Sequence, residues 1–87
     1  MKEDIVKIVA DYLDVEPASL DETKTLEDLK IDSLDFIEIL FEVEEKYDAS
    51  LSSEMQKRRD EIHNFGDILR IVEELIVEQR AAGTGEA

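Results

Sequence analysis

The sequence contains no cysteine, and that absence excludes a disulfide framework, a thiolate nucleophile and a cysteine-based zinc site. Any thiol chemistry at this chain would need sulfur from another molecule. Glycine is also scarce, and Gly66, Gly83 and Gly85 do not form a loop of the kind that cradles phosphate. We therefore expect neither thiol-based catalysis by the chain itself nor a glycine-rich nucleotide site.

Long apolar runs are missing as well. No stretch approaches the roughly 18 consecutive apolar residues of a membrane-spanning helix, and residues 1–4 lack the apolar core of a signal peptide. We therefore expect a cytoplasmic protein with no stable membrane insertion.

Basic residues are few. The sequence has ten Lys and Arg and 24 Asp and Glu, which gives a net charge of −14. A surface of this charge repels nucleic acid and anionic lipid, and it attracts basic partners. At 87 residues the chain forms one domain, and such a domain buries only about 60% of its unfolded surface. Because so thin a core leaves no room for a deep active site, the composition favours a protein that is not an enzyme.

Apolar residues at helical spacing predict an all-α fold with three main helices, one short helix and a long first loop. The main helices are expected over residues 3–13 and 33–47 and from Asn64 onward, where Asn64 caps the helix and Asp67 follows three residues later. The short helix should begin near Ser52 or Ser53. Residues 1–79 form the folded domain in this interpretation, and residues 80–87, rich in small side chains, form a disordered C-terminal tail.

The long first loop, residues 14–32, is predicted to be ordered. Thr25 and Asp28 have the spacing to cap one short turn inside it, and an ordered connection of this length usually has a functional reason. We expect five isolated apolar residues to pin the loop onto the core: Val15, Leu20, Leu26, Leu29 and Ile31.

The second predicted helix has two different faces. A rotation of about 100° per residue places four acidic residues in one stripe: Asp35, Glu38, Glu42 and Glu45. The opposite, core-facing side is apolar: Phe36, Leu40, Val43 and Tyr47. Three apolar residues edge the stripe, where we expect partial burial: Leu34, Ile37 and Phe41. Glu44 falls near the core side and is expected to escape burial at the helix end.

The acidic stripe has two interpretations. It is either a solvated helix face, which is the usual meaning of such charge runs, or a docking surface that steers a basic partner. Ser33, the first residue of the same helix, bears on this choice. A hydroxyl at a helix amino terminus is well placed to carry a phosphate, because free N–H groups and the helix dipole favour anions there. The alternative is that Ser33 only caps the helix.

The segment Leu29-Lys30-Ile31-Asp32-Ser33-Leu34-Asp35-Phe36-Ile37-Glu38 resembles the acyl carrier protein family, in which the serine of Asp-Ser-Leu carries 4′-phosphopantetheine. The resemblance covers residues 6–76 and includes the Thr25-Leu26-Glu27-Asp28-Leu29 turn. It implies an acyl-carrier-like helical bundle, a carrier domain over residues 1–79. Such a carrier tethers acyl intermediates as thioesters and presents them to enzymes of fatty acid or specialised lipid synthesis.

By this resemblance Ser33 is the attachment point, modified by a phosphopantetheinyl transferase that uses coenzyme A, and Asp32 helps to position the divalent metal of that transfer. The arm supplies the thiol that the sequence lacks. Three acids of the stripe would meet basic docking patches on acyl-loading, synthase and acyltransferase enzymes: Asp35, Glu38 and Glu42. Three apolar residues would line the contact patch: Leu34, Ile37 and Phe41. We expect a monomer without a resident metal.

Three departures from the family pattern point to a specialised carrier outside ordinary fatty acid synthesis. Lys30 stands where many members have glycine, which should alter the loop before the serine, and Ser52 replaces a common proline. The third departure is the basic segment around Lys57, Arg58 and Arg59. This cluster is either an internal counterion patch or a contact for a dedicated partner.

Other functions fit the sequence less well or stay open. Residues 21–32 have the length of an EF-hand loop, but Thr23, Thr25 and Leu26 occupy positions that need metal ligands or glycine. His63 is better explained as a surface or capping-region residue than as a ligand or base. The open alternatives are a peptidyl, polyketide or aminoacyl carrier, and an acidic helical interaction module that is never modified.

The net charge of −14 should make the fold sensitive to ionic strength. Because like charges repel one another in the compact state, added salt or divalent cations should raise the melting temperature by screening that repulsion. Thermal unfolding followed by circular dichroism over a salt series measures this effect. A melting temperature that stays constant across the series would contradict the prediction.

Overall fold

Four α-helices, joined by loops and two single 3-10 turns, make up the fold. The computed structural model describes residues 1–84, with side chains described for residues 1–80. The helices are α1, Lys2–Leu13; α2, Ser33–Tyr47; α3, Ser52–Lys57; and α4, Phe65–Thr84. The 3-10 turns are Pro17–Ser19 and Arg59–Glu61. Residues 1–84 contain no strand, and the predicted all-α class with three main helices and one short helix is confirmed.

A single apolar core holds the helices together. α1 packs against α2 and α4, and α3 lies against both α2 and α4. α4 contributes seven buried residues, all on its predicted apolar face: Phe65, Ile68, Leu69, Ile71, Val72, Leu75 and Ile76. No polar side chain is buried in the described part of the chain, so the small core carries no desolvation penalty from charged groups.

The predicted core face of α2 is correct but incomplete. Leu40 and Val43 are buried, and Phe36 and Tyr47, at the two ends of the helix, are half-buried and pack against the core. Ile39 is buried although it lies outside the predicted set. The helix packs against α1 as well as α3, and its buried side is therefore wider than the single row that the sequence pattern selects.

α4 extends further than the sequence pattern predicts. The helix continues through residues 80–84, which their composition assigns to the tail. Alanine has the highest helix propensity, and adding a residue to an existing helix is easier than starting one. Residues 85–87 lie outside the described part, and a domain boundary at residue 79 stays a prediction. Within residues 1–84, no helix combines the length and the apolarity needed to span a bilayer.

The long first loop is fastened to the start of α4 through the backbone. The N–H groups of Phe65 and Gly66 donate to the carbonyl oxygens of Lys24, at 2.8 Å, and Glu22, at 2.9 Å. The first N–H groups of a helix have no acceptor within it, so the loop satisfies two donors that would otherwise need water. Gly66 suits this close approach, because a Cβ there would lie 3.2 Å from the Glu22 carbonyl oxygen.

Two predicted caps are present. Thr25 and Asp28 bond reciprocally: the Asp28 N–H donates to Thr25 Oγ1 at 3.0 Å, and the Thr25 N–H donates to Asp28 Oδ2 at 3.3 Å. Asn64 and Asp67 form the same arrangement at the start of α4, with distances of 2.8 and 3.3 Å. Local sequence spacing was sufficient to predict both caps because each closes within four residues.

Four of the five apolar residues predicted to pin the first loop do so. Leu20 and Ile31 are buried, and Leu26 and Leu29 are half-buried against the core. Val15 is the exception, with 43% of its surface exposed. Its N–H still bonds to the last turn of α1 at 3.0 Å, so this residue closes the helix instead of reaching the core.

Lys30 directs the chain from the loop into α2. Its backbone is left-handed, with φ of 61°, and it closes a turn in which the Ile31 N–H donates to the Leu26 carbonyl at 2.9 Å. The reversal buries Ile31, which is 5% exposed. Lys30 thus adopts the conformation that glycine prefers, and the departure from the family pattern adds strain to this loop.

The Tyr12 hydroxyl ties α1 to α2. It donates to Asp35 Oδ1 at 3.1 Å and to the carboxylate of Glu38. The hydrogen bond to Glu38, together with partial burial and the bond to Asp35, raises the pKa of the Tyr12 phenol above its ordinary value. The spacing of residues within α1 gives no sign of this contact, because it depends on how two helices cross.

Replacing Lys30 by glycine should stabilise the fold. A non-glycine residue in the left-handed region costs on the order of 1 kcal/mol, so Lys30→Gly should unfold at higher urea concentration than Lys30→Ala. The alanine variant is the matched control, because it removes the same charge and keeps the strain. Equal urea midpoints for the two variants would show that the left-handed backbone at Lys30 carries no strain.

The phenol of Tyr12 should titrate above the ordinary tyrosine pKa of about 10. Because its pKa is higher in the folded than in the unfolded state, its contribution to stability is full below about pH 10 and is lost as the pH rises through the folded value. Tyrosinate absorbance in a Tyr47→Phe background reports Tyr12 alone. Glu38→Gln should lower the Tyr12 pKa, whereas Glu42→Gln, which removes an acid outside this contact, should leave it nearly unchanged. Equal effects of the two variants would refute the contact.

Candidate functional site

Ser33 is the first residue of α2, and its hydroxyl is open to solvent. The capping role that serine often fills belongs here to Asp32, whose Oδ1 accepts a hydrogen bond from the Asp35 N–H at 2.8 Å. The Ser33 hydroxyl itself makes no hydrogen bond to any described residue. The oxygen is therefore free to form a phosphoester without breaking a structural contact.

The position of Ser33 also suits a phosphate electrostatically. α2 has 15 residues, and the positive end of its dipole lies at the serine, where the first backbone N–H groups have no acceptor within the helix. Such a terminus favours an attached phosphate group. The residues present thus fit a phosphate-linked prosthetic group at this oxygen.

A groove with a volume of about 450 Å³ begins at Ser33 and lies between α2 and the segment from α3 to Ile62. This volume is typical of a site for a small organic molecule. The α2 wall is apolar: Phe36, Ile37 and Leu40. The opposite wall is mixed: Ser52, Met55, Gln56, Arg59 and Ile62.

The core offers much less space than the groove. A cavity between the helices has a volume of about 20 Å³ and is lined by apolar side chains of α1, α2, α4 and the first loop. That is room for about one water molecule. A flexible group attached at Ser33 therefore has space in the groove, whereas entry into the core would require the helices to separate.

The acidic stripe and its apolar edge lie on the surface beside Ser33. Leu34 is 65% exposed and Phe41 is 53% exposed, which is more than the partial burial expected from the sequence. Ile37 is half-buried, since it lines the groove. Within the acidic stripe, Asp35 is half-buried. The other three acids are exposed: Glu38, Glu42 and Glu45. Two large exposed apolar side chains within an acidic surface have the composition of an interaction site.

The exposure expected for Glu44 is wrong, and the reason is a contact with α3. Glu44 is half-buried, and its Oε2 accepts hydrogen bonds from the N–H groups of Leu51, at 2.6 Å, and Ser52, at 2.9 Å. The Ser52 hydroxyl donates to the same oxygen at 3.3 Å. Glu44 thus caps α3 from α2. Proline at position 52 would have neither the backbone N–H nor the hydroxyl that donates to Glu44. The serine at this departure from the family pattern is therefore part of the cap.

Internal ion pairs account for two of the three cationic residues in the segment 57–59. Lys57 pairs with a carboxylate of its own helix at 3.3 Å. Arg58 pairs with Glu61 at 3.0 Å and with Glu74 of α4 at 3.4 Å, and its guanidinium lowers the pKa of Glu61. The counterion interpretation is therefore correct for Lys57 and Arg58. Arg59 differs, because its side chain lines the groove.

The remaining sequence candidate, His63, is exposed and lies in the cap of α4. Its backbone N–H donates to Asp67 Oδ2 at 2.9 Å, which agrees with the predicted capping-region role. Within residues 1–84 no three or more potential metal-ligating side chains come together.

Comparisons with known proteins agree with this geometry. A family model described as the phosphopantetheine attachment site matches residues 3–74, which include Ser33 and the groove. The acyl carrier protein of Wolinella succinogenes is 35% identical over 72 residues, covering 82% of this chain and 91% of the relative. That of Helicobacter pylori is 33% identical over 73 residues, covering 83% and 90%. That of Chlamydia muridarum is 29% identical over 75 residues, covering 85% and 94%. Together these matches show that the chain belongs to the acyl carrier protein family, whose cofactor is phosphopantetheine and whose members carry acyl groups instead of acting as enzymes.

Proposed function

We propose that this chain carries acyl groups as thioesters on a 4′-phosphopantetheine arm joined to the Ser33 oxygen, for fatty acid or specialised lipid synthesis. The observation that supports the site most directly is the exposed Ser33 hydroxyl at the start of α2. It has no hydrogen-bond partner within the described residues and opens onto the groove. When bound, the arm supplies the thiol that the sequence lacks.

Asp32 has a second part in this proposal besides capping α2. Its Oδ1 is engaged by the Asp35 N–H, whereas Oδ2 makes no hydrogen bond to any described residue. That oxygen lies one residue from the Ser33 hydroxyl and is exposed. We assign it the task of helping to position the divalent cation that the transferase uses, because carboxylate oxygens are the preferred ligands of such ions.

Partner enzymes would meet the acidic stripe and its apolar edge. Proteins of this family work with synthase and transferase enzymes. Here the acids would steer basic patches of a phosphopantetheinyl transferase and of acyl-loading, synthase and acyltransferase enzymes. Leu34 and Phe41, both mostly exposed, would provide the apolar contact once the partner arrives. We further propose that the carrier is a cytoplasmic monomer that does not bind nucleic acid.

The carrier's contribution to catalysis is tethering. A short flexible arm holds the bound group near the docked enzyme at an effective concentration in the millimolar range. The chain therefore needs a firmly placed attachment atom and a surface that many enzymes can bind briefly. A deep pocket of its own is not required.

Incubation with coenzyme A and a promiscuous phosphopantetheinyl transferase should increase the intact mass by one phosphopantetheine group. Ser33→Ala should abolish the increase, because the acceptor oxygen is gone. Ser53→Ala is the matched control, since Ser53 is exposed on α3 and should leave the increase unchanged. Intact-protein mass spectrometry measures all three. No increase in the wild-type chain, or an increase that survives Ser33→Ala, would overturn the proposed site.

A further inference from the structure

Arg59 is a cation on the wall of the groove. Within the described residues it makes no ion pair or hydrogen bond, whereas its neighbours Lys57 and Arg58 are both paired. Its side chain is exposed and lines the same groove as Ser33. Arg59 therefore differs from the neighbouring cations in being free to bind a ligand.

The groove wall that holds Arg59 is suited to a polar, extended molecule. Ser52 and Gln56 line this wall together with Arg59, while Phe36 and Leu40 line the α2 side. A chain with amide groups and short apolar segments would find hydrogen-bonding groups on one side and apolar contact on the other. The arm joined to Ser33 starts inside this groove and has that composition.

The charge of the whole chain makes an arginine at this place informative. A net charge of −14 repels an anion over most of the surface. A guanidinium with five N–H donors in a planar fork can hold a phosphate or carboxylate in two parallel hydrogen bonds. Among the residues that line the groove, Arg59 is therefore the one whose charge attracts an anionic oxygen.

We propose that Arg59 binds an anionic oxygen of the group tethered at Ser33, on the wall of the groove that both residues line. This inference rests on the function proposed above. Two parts of that group can supply the oxygen: the phosphodiester at Ser33, or a carboxylate at the free end of a dicarboxylic acyl cargo. In the second case Arg59 is a residue that determines cargo specificity.

Three forms of the carrier distinguish these sources: the arm ending in a free thiol, in a neutral butyryl thioester, and in an anionic succinyl thioester. Each is made with the transferase and the matching coenzyme A derivative, and its loading is verified by intact mass. Wild type, Arg59→Gln and Lys57→Gln are then compared by melting temperature. A second readout is the Arg59 side-chain Nε–Hε signal in nitrogen-15 NMR spectra. Lys57→Gln is the matched control, since it removes an adjacent positive charge that does not line the groove.

If the carboxylate is the partner, the succinyl form should melt a few degrees above the butyryl form in wild type and Lys57→Gln, and this gap should vanish in Arg59→Gln. The Nε–Hε signal should then shift only in the succinyl form. If the phosphodiester is the partner, all three loaded forms should share an equal gain over the unmodified protein. That gain should be lost in Arg59→Gln, and the Nε–Hε signal should shift in every loaded form.

Verified loading with no dependence on Arg59, in either melting temperature or the Nε–Hε signal, would overturn this inference alone. Failure to load the wild-type chain at all would overturn it together with the proposed function. Because Arg59 has no structural partner in the described residues, Arg59→Gln should leave the unmodified fold intact, and the comparison does not depend on an unfolded variant.

Discussion

The exposure of Ser33 depends on the burial of Ile31. Only Asp32 separates the inward side chain of Ile31 from the outward side chain of Ser33, and the left-handed backbone of Lys30 makes that change of direction possible. Asp32 then stabilises the first turn of α2 by accepting the Asp35 N–H. The Ser33 hydroxyl can remain without a hydrogen bond to any described residue because the residues around it fix the backbone. The proposed attachment position is thus kept open by the packing of its neighbours.

α2 carries three functions on three sides of one helix. One side is core, one side is the apolar wall of the groove, and the third is the acidic stripe. The helix thus holds the groove wall and the acidic stripe in a fixed relation to each other. The Tyr12 hydroxyl adds α1 to this arrangement by bonding to Asp35 and Glu38. The stripe is consequently better ordered at its Ser33 end than a fully solvated charge run would be.

Features that close within one or two helical turns could be predicted from the sequence. The start and end of α2, the cap at Asn64 and the capped turn at Thr25 all follow from spacing alone. The serine at the helix start was likewise evident from its motif. Features that depend on two elements meeting could not be predicted. The contact of Tyr12 with the stripe requires the crossing of α1 and α2, and the burial of Ile39 requires α2 to have neighbours on two sides. Glu44 was wrongly predicted to be exposed, because the N–H groups that bond to its side chain lie seven and eight residues ahead, across a loop.

The cap that Glu44 provides has a geometric consequence for the groove. α3 is joined to α2 where Glu44 holds its first N–H groups, about 16 Å along α2 from Ser33 at 1.5 Å per residue. Near Ser33, no hydrogen bond joins the two walls within the described residues. The wall opposite α2 is held there from behind, because Arg58 pairs with Glu74 of α4 and Ile62 packs against the core. A thicker tethered group would therefore separate the walls more readily near Ser33 than near Glu44, and the width of the groove would report the size of that group at the surface where an enzyme approaches.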